Sequence, residues 1–331
     1  MLTTLTITKT KNNRMSSPSS APRATKPPVK NTVHGWLVLD KPLGLTSTQA
    51  LGKVRRLLGG KKVGHGGTLD PLATGILPLA FGEATKLIPY VMDNDKGYEF
   101  TVRWGEARTT DDSEGTVTAA SDARPTRDAI LAALPAFTGV IQQTPPIYSA
   151  IKLEGERAYD LARAGEQVEL ASRQVDIYEL TFIDQPDADH ARFYVSCGKG
   201  MYVRSLARDL ALKLGTYGYV SALRRTHVGP FSLENAISLE NLEALGHKNA
   251  ALTALLDLQA ALDDIPGLTL TASEAQRLRS GQEVMIRPQH DDALGGHAAE
   301  AGLVFASCQG VPVALIEPVA GAFRVVRGFH F

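Results

Sequence analysis

Hydrophobic residues follow two different periods along this chain, and together they predict a mixture of strands and helices. Residues 35–40 read as a short buried strand that ends in the turn 41–44. Apolar residues then recur at helical spacing as far as Gly59, with Ser47 as the expected N-cap of this helix. Residues 98–104 instead alternate apolar side chains with polar ones, which indicates a strand with one buried face.

The second half of the chain continues this mixture without a regular strand-helix-strand repeat. Residues 201–204 alternate like a strand, which predicts that Tyr202 and Arg204 share one face. Other elements are predicted as helices at 127–134, 156–164 and 205–214, and as strands at 175–183 and 191–197. The pattern therefore predicts an α+β fold with a mixed sheet, and argues against a doubly wound arrangement.

Changes in composition divide the chain into three parts. Residues 1–33 hold six basic and no acidic residues among Ser, Thr, Pro and Asn, so we predict a disordered basic tail. A solvated tail, an RNA-tethering arm and a transit peptide all fit this composition, and initiation at Met15 would shorten it. Residues 34–264 are predicted to form the main domain. Residues 265–331, a short helix followed by Val-rich strands and turns, are predicted to form a small β-barrel.

The bulk composition excludes several classes of protein. The 331 residues are 44% hydrophobic and 21% charged, and no stretch reaches the roughly 18–20 consecutive apolar residues of a membrane span. The two cysteines, Cys197 and Cys308, show neither disulfide nor zinc-ligand spacing. We therefore expect a soluble, cytoplasmic protein without membrane contact. The 35 basic and 35 acidic residues cancel, which argues against a protein that merely coats nucleic acid.

Asp70 is the main candidate for chemistry, because glycines crowd the loop in which it lies. Gly64, Gly66 and Gly67 precede it, and Pro71 follows it. An Asp-Pro pair is also a common helix N-cap and first helical residue, which requires no function. The density of glycines favours instead a backbone that is brought close to a ligand.

Six stretches of the sequence match a known family in order and in spacing. Residues 64–78, GHGGTLDPLATGILP, resemble the nucleophile motif of the TruB family of pseudouridine synthases, and residues 40–44, DKPLG, resemble that family's leading motif. The other matching stretches are 82–86 (GEATK), 95–98 (DKGY), 148–152 (YSAIK) and 198–205 (GKGMYVRS). The resemblance extends from about residue 34 to the C-terminus.

The resemblance implies roles for three residues at the centre of the reaction. Asp70 is implied to be the nucleophile, and a carboxylate suits this role because it is ionised at neutral pH and needs no adjacent base. Arg204 is implied to form an ion pair that aims this carboxylate, although a phosphate contact or a structural ion pair would also explain it. Tyr98 is implied to stack on the target base and to take part in proton transfer, while also fitting the buried face of a strand.

Further residues match positions that contact the substrate in this family. A uridine stacked in an RNA loop has to be flipped out, and His65 is implied to fill the gap that it leaves. A metal-ligand role for His65 is rejected, because no partner stands at ligand spacing in the sequence. Thr109 departs from the family, many of whose members have an aspartate there. The other implied substrate-binding or RNA-binding residues are Lys41, Asp112, Lys152, Tyr202, Leu223 and Arg224.

The resemblance is to the stand-alone bacterial type of the family, which implies a substrate. It implies uridine 55 in the T loop of tRNA as the target, a thumb-like insertion at about 145–173 that grips the T-arm, and a PUA-like RNA-binding module at 265–331. It also implies a monomer that needs neither a guide RNA nor a cofactor, and the sequence has no P-loop or dinucleotide fingerprint. Phosphate contacts are expected from Arg55–Arg56, Lys61–Lys62 and Arg224–Arg225, although each pair would also suit a solvated surface.

Two other functions remain compatible with the sequence. A protein that binds tRNA without chemistry would carry the same basic clusters. A carboxylate glycosidase would need two facing acids, and the loop around Asp70 offers one.

Overall fold

The computed structural model describes residues 33–149, 151–153, 156–163 and 168–331. The predicted tail up to residue 32 lies outside the described residues, whereas Val33 is buried in the core. The helices are α1 (Ser47–Leu58), α2 (Ile88–Asp93), α3 (Arg127–Ala133), α4 (Ala158–Arg163), α5 (Val203–Lys213), α6 (Leu239–Ala244), α7 (Lys248–Leu252), α8 (Ala272–Arg279) and α9 (Pro288–Ala293), with 3-10 turns at Gly82–Leu87, Leu134–Phe137, Leu233–Asn235 and Leu258–Ala261.

The strands are distributed over the whole described chain. They are β1 (Gly35–Lys41), β2 (Val63–His65), β3 (Ala73–Phe81), β4 (Lys96–Trp104), β5 (Glu106–Arg108), β6 (Val117–Ala120), β7 (Gly139–Gln143), β8 (Lys152–Leu153), β9 (Glu156–Arg157), β10 (Arg173–Asp187), β11 (His190–Cys197), β12 (Gly218–Val228), β13 (Phe231–Ser232), β14 (Ile237–Ser238), β15 (Gly267–Thr269), β16 (Val284–Met285), β17 (Val304–Cys308), β18 (Val311–Val319) and β19 (Ala322–Gly328).

Ten of the described strands form the central sheet. Its order is β14-β1-β3-β12-β4-β11-β10-β7, with β2 beside β3 and β13 beside β12. The pairs β1/β14 and β3/β12 are parallel, whereas the other neighbouring pairs are antiparallel. This mixed sheet confirms the predicted α+β fold.

The central sheet is covered on both faces around β1 and β3. Leu37 and Leu39 join a core cluster with residues of α1 and α5, whereas Trp36 and Val38 pack into a second cluster on the opposite face. A strand that is buried on both faces reads as a continuous apolar run, which is the pattern of residues 35–40. In β4 the four apolar side chains are buried and Glu99 is exposed, so the prediction for residues 98–104 is confirmed.

The C-terminal part forms a separate sheet of five described strands, in the order β15-β17-β18-β19-β16, which curls into the half-barrel of a PUA-like module. Ala275 and Leu278 of α8 pack against it. Phe305, Leu315 and Phe329 instead complete the cluster that contains Trp36. The two sheets therefore share apolar contacts, and the predicted domain boundary at residue 264 stays a prediction.

Three local predictions are wrong. Thr46, not Ser47, caps α1, because its hydroxyl accepts a hydrogen bond from the Gln49 N–H while the Gln49 side chain accepts one from the Thr46 N–H. Residues 201–204 form no strand, since α5 already begins at Val203, and four alternating residues are too few to separate the two periods. In the predicted helix 156–164, residues 156–157 belong to β9 and α4 begins at Ala158.

Among the helices of the described residues, none is both long enough and apolar enough to cross a membrane.

Candidate active site

Asp70 lies in a turn between β2 and β3, at the edge of the central sheet. The Ala73 N–H donates to the Asp70 carbonyl at 3.0 Å, which closes the turn, and β3 begins directly afterwards. A strand and not a helix therefore follows the Asp-Pro pair, so the interpretation of Asp70 as a helix cap is wrong. Its side chain retains about a third of its exposure and can reach a bound molecule.

Several glycines around Asp70 make room for the protein's own atoms. A Cβ atom on Gly66 would lie 2.7 Å from Val91, and one on Gly64 would lie 2.6 Å from Ile88. Gly75 has a φ of +99°, and a Cβ there would lie 2.1 Å from the Arg225 carbonyl oxygen. Close packing of the loop explains these three glycines, and the approach of a ligand to the backbone stays a prediction.

Ser47 fastens the Asp70 loop to the first turn of α1. Its buried hydroxyl accepts a hydrogen bond from the Leu69 N–H at 2.8 Å and donates one to the Leu69 carbonyl at 3.0 Å. Both backbone groups of the residue before Asp70 are therefore satisfied by a single side chain. Sequence analysis missed this role because it assigned Ser47 to the helix cap.

Arg204 approaches the Asp70 carboxylate from the first turn of α5. Their Nη2 and Oδ2 atoms are 3.1 Å apart, and the arginine side chain is only 6% exposed against 36% for the aspartate. The same guanidinium donates to the carbonyls of Thr110 and Tyr148, both at 3.0 Å. These bonds fix the guanidinium, so it presents one edge to the partly exposed carboxylate.

A second carboxylate, that of Asp112, contacts the other terminal nitrogen of Arg204, Nη1. Its Oδ2 lies 3.5 Å from Arg204 Nη1, and it is itself buried. The Glu114 N–H and the Thr110 hydroxyl both donate to Asp112. The acidic loop thereby stabilises the buried guanidinium through Nη1, while Nη2 contacts Asp70.

The neighbours of Asp112 hold the acidic loop in shape. Asp111 adopts a φ of +59°, and its carboxylate lies 3.0 Å from Arg208 on the next turn of α5. Burial raises the pKa of Asp111, while Arg208 acts in the opposite direction. Thr109, the residue that departs from the family pattern, accepts a hydrogen bond from the Thr116 N–H through its hydroxyl. It thus contributes to the closure of the loop.

Tyr98 lies on β4 directly opposite Arg225 of β12 and is nearly inaccessible to solvent. Burial raises the pKa of Tyr98, and the charge of Arg225 opposes this rise. The charge of Asp70 adds to this rise. The structure thus brings Arg204 into contact with Asp70, whereas the contact of Tyr98 with the same site stays a prediction.

Lys41 is fully buried beneath the same loop. Its ammonium donates to the carbonyls of Leu45 at 2.7 Å and Pro42 at 3.0 Å, and lies 3.5 Å from that of Pro71. Burial lowers the pKa of Lys41 to about 8, opposed by the attraction of Asp70 and reinforced by Arg225. Lys41 therefore ties the turn after β1 to the turn that carries Asp70.

The other residues with an implied substrate role surround this centre. His65 ends β2, half-buried, and its Nδ1 atom has no hydrogen-bond partner among the described residues. Burial and then Arg225 lower the pKa of His65, so the ring is neutral at physiological pH. Leu223 pairs in register with Ala73, three residues after Asp70. Tyr202 directly precedes α5, and its ring lies 5.4 Å from the Arg173 guanidinium.

The basic pairs predicted to contact phosphate differ in their exposure. Arg55–Arg56 and Lys61–Lys62 are exposed, as such contacts require. Arg224 forms an ion pair with Asp40 at 2.8 Å and keeps partial exposure. Arg225 is 1% exposed, so the prediction that it contacts phosphate is wrong. Lys152 lies in β8, and its side chain is outside what the structure describes.

Comparison with known proteins gives matches over most of the chain. Residues 55–203 match the model of the N-terminal domain of TruB family pseudouridylate synthases, and residues 204–264 match that of the tRNA pseudouridylate synthase B C-terminal domain. The tRNA pseudouridine synthase B of Bradyrhizobium diazoefficiens is 56% identical over 306 residues, which cover 91% of this chain and 87% of that protein. The chain belongs to the TruB family.

Other TruB relatives and solved structures agree with this assignment. The tRNA pseudouridine synthase B of Caulobacter vibrioides is 51% identical over 301 residues, covering 91% of this chain and 97% of that protein. A chain in the crystal structure of a Cbf5-Nop10-Gar1 complex superimposes with a TM-score of 0.66 at 22% identity, covering 93% of this chain and 92% of that one. This likeness supports the fold, and membership of the TruB family makes the chain a pseudouridine synthase.

Proposed function

We propose that this TruB-family enzyme converts uridine 55 in the T loop of tRNA to pseudouridine, with Asp70 as its nucleophile. The proposal is supported above all by the ion pair between Arg204 and Asp70, whose atoms are 3.1 Å apart. Arg204 is buried and held by hydrogen bonds, whereas the Asp70 carboxylate is partly exposed. A carboxylate that is oriented by a fixed cation, and still open to a ligand on one side, is the arrangement that nucleophilic catalysis requires. The names of its relatives, tRNA pseudouridine synthases B, support tRNA as the substrate.

The reaction rearranges the nucleoside without changing its atoms. The bond between C1′ and N1 breaks, the uracil turns, a bond between C1′ and C5 forms, and the hydrogen of C5 leaves as a proton while N1 gains one. Substrate and product thus have the same atomic composition, so the chemistry itself requires no cofactor. Asp70 stabilises or captures the separated fragment, and Arg204 holds the carboxylate in place meanwhile.

The base has to leave its stack before it can reach Asp70, which costs a few kcal/mol. His65 is suited to replace it, because its neutral, half-buried ring lies at the end of β2 on the rim of the loop. We propose that this ring stacks in the gap while Tyr98 contacts the flipped uracil. Leu223 and Tyr202 line the rest of the pocket. Lys41 holds the loop that carries Asp70, and Asp112 holds Arg204.

The RNA contacts outside the pocket belong to the same proposal. The exposed Arg55, Arg56, Lys61 and Lys62 follow one another where α1 leads into β2, close in sequence to His65. We propose that they contact phosphates of the T-arm together with Arg224, Lys152, the region 145–173 and the PUA-like module. A monomer that acts in the cytoplasm without a guide RNA is part of this proposal.

Replacement of the nucleophile tests the proposal. A T-arm RNA labelled with tritium at C5 of uridine loses tritium to water when pseudouridine forms. We expect release by the wild-type protein, and at least a thousandfold slower release by Asp70→Asn, which keeps the size of the side chain. Asp184→Asn serves as the matched control, because Asp184 is paired with Arg192 on the surface at β10 and β11.

Three outcomes separate the proposal from its rivals. Release by Asp70→Asn at the wild-type rate would remove Asp70 from the chemistry. Binding of the RNA by the wild type without any release would favour a protein that only binds tRNA. Accumulation of free uracil would indicate a glycosidase, which requires a second facing acid.

A further inference from the structure

Arg225 is a buried cation without an anionic partner among the described residues. It is 1% exposed, and none of the ion pairs between described residues includes it. Burying a charge is costly unless the surroundings compensate for it. Because an unpaired buried charge is unfavourable for folding, the position of Arg225 opposite Tyr98 suggests that its charge serves the chemistry of the site.

The hydrogen bonds of Arg225 run to the loop that carries Asp70. Nε donates to the Ile76 carbonyl at 2.7 Å, Nη2 to that of Gly67 at 3.1 Å and Nη1 to that of Thr68 at 3.3 Å. These acceptors lie on both sides of Asp70 along the chain. The guanidinium therefore clamps the two ends of the nucleophile loop.

Arg225 also lies beside Tyr98. The two residues are partners in the β12/β4 register, so their side chains project from the same face of the sheet. Burial raises the pKa of the phenol and the charge of the guanidinium opposes this rise, because an oxygen close to a cation carries negative charge more easily. The neutral carbonyl partners of Arg225 leave its charge available for this purpose.

We propose that Arg225 is a positioning residue, whose buried guanidinium holds the Asp70 loop beside Tyr98 and stabilises the phenolate of Tyr98 that accepts the C5 proton. The proposal rests on the proposed function. After C5 has bonded to C1′, the phenolate removes the C5 hydrogen as a proton. The C–H electron pair restores the C5=C6 bond, the C6=N1 pair returns to N1, and N1 takes a proton from solvent. Tyr98 then returns its proton to solvent.

Other charged groups face this pair and limit which group can respond to pH. Asp70 and Cys197 act on Tyr98 against its ionisation, whereas Arg225 favours it. Around Arg225, its charge lowers the pKa of Lys41, His65 and Lys96 in addition to the effect of their burial. Arg225 is thus the group that opposes the effects of burial and of these acidic neighbours on the tyrosine.

A double-mutant cycle tests the proposal. We measure tritium release with Arg225→Gln, Tyr98→Phe and the double variant, and we compare kcat with KM. We expect Arg225→Gln to lower kcat at least tenfold with KM within threefold, and to cause a clearly smaller further loss, due to the clamp on the Asp70 loop alone, when Tyr98 is already phenylalanine. Losses that simply multiply would overturn the proposal, because they would mean that Arg225 does not act through Tyr98.

The pH dependence separates this role from a merely structural one. Because Arg225 favours the phenolate, the pH at which the rate stops rising is expected to be higher for Arg225→Gln than for the wild type. The same pH for both proteins would contradict the proposal. Arg192→Gln, which removes a surface arginine paired with Asp184, is expected to match the wild type at each pH.

A conservative variant covers the case in which Arg225→Gln fails to fold. Arg225→Lys keeps the charge but loses the planar fork that reaches three carbonyls. We expect a loss in kcat smaller than that of the glutamine variant, with a nearly normal pH profile. Wild-type kcat in Arg225→Lys would overturn the clamping role. If the wild type itself releases no tritium, the proposed function fails irrespective of Arg225.

Discussion

At the scale of single residues, the Ser47 hydroxyl fixes the loop that carries Asp70. It is buried and satisfies both backbone groups of Leu69, next to Asp70. We expect Ser47→Ala to lower the free energy of unfolding by about 1–3 kcal/mol, because two buried polar groups lose their partner. We also expect kcat to fall about tenfold with little change in KM. Urea denaturation measures the change in stability, and tritium release measures the change in kcat.

Thr46→Ala is the matched control for Ser47. Thr46 caps the same helix but makes its bonds to Gln49, away from the Asp70 loop. Loss of such a cap costs about 1 kcal/mol and should leave kcat nearly unchanged. Equal losses of kcat in both variants would mean that the helix as a whole, and not the Leu69 contact, positions the nucleophile.

Lys41 makes the stability of the protein depend on pH. Burial lowers its pKa from 10.5 to about 8 in the folded state. Between these values the unfolded chain binds more protons, so the free energy of unfolding rises with pH; below pH 8 the cost of the buried charge is present in full. Relative to Lys41→Met, we expect the wild type to gain about 3 kcal/mol between pH 8 and pH 10.5. A difference that is independent of pH in denaturant titrations would rule this out.

At the scale of elements, β3 and β12 approach so closely that only glycine fits at position 75. Its φ is +99°, and the Arg225 carbonyl occupies the place of a Cβ atom. We expect Gly75→Ala to destabilise the fold, because both backbone strain and a clash with main-chain atoms result. Gly215 also has a positive φ, of +74°, but has open space around it.

The comparison of these two glycines separates strain from clash. Gly215→Ala should cost about 1–2 kcal/mol for the left-handed backbone alone. Gly75→Ala should cost at least about 2 kcal/mol more, since overpacking adds to the strain. Similar midpoints for both variants in thermal denaturation would show that the two strands can separate to admit a methyl group.

Helix α5 shows that the sequence pattern placed Arg204 in the wrong element, while its role stays a prediction. The helix begins two residues earlier than predicted, so Arg204 lies in its first turn and reaches Asp70 from a rigid element. The alternation of residues 201–204 carried no information on this point, because it spans about one helical turn. The family motif identified the residue, and the tertiary structure decided its direction.

At the scale of the whole molecule, the second core cluster connects the central sheet to the C-terminal module. Phe329 is buried there together with Trp36 and Phe231. We expect Phe329→Ala to cost about 3–5 kcal/mol and to lower the midpoint of a single unfolding transition. Phe331→Ala, at a residue that is 61% exposed, should change the midpoint little. An early, separate transition in Phe329→Ala would show instead that the module unfolds on its own.

The sequence by itself determined the family and the α+β class and predicted Asp70, Tyr98 and Arg204 as site residues, because motifs and hydrophobic periods are local properties of the chain. It predicted Gly59 as the end of α1, and the structure confirms this with the left-handed residue found there. It placed Arg225 on the surface, although alternation along β12 sets Arg225 on the same buried face as Leu223. From residue type alone, an arginine is expected on the surface, because arginine side chains are seldom fully buried.

Only the tertiary structure decided which atoms meet. Asp70 and Arg204 are 134 residues apart in sequence, yet their side chains lie 3.1 Å apart, since α5 packs against β12, which pairs with the strand β3 that follows the loop. The glycines of the Asp70 loop likewise pack closely against Val91, Ile88 and Arg225. No local sequence pattern connects these residues to the loop. Close packing depends on residues from distant segments, and this is why the chain's pattern predicted the elements but not the contacts between them.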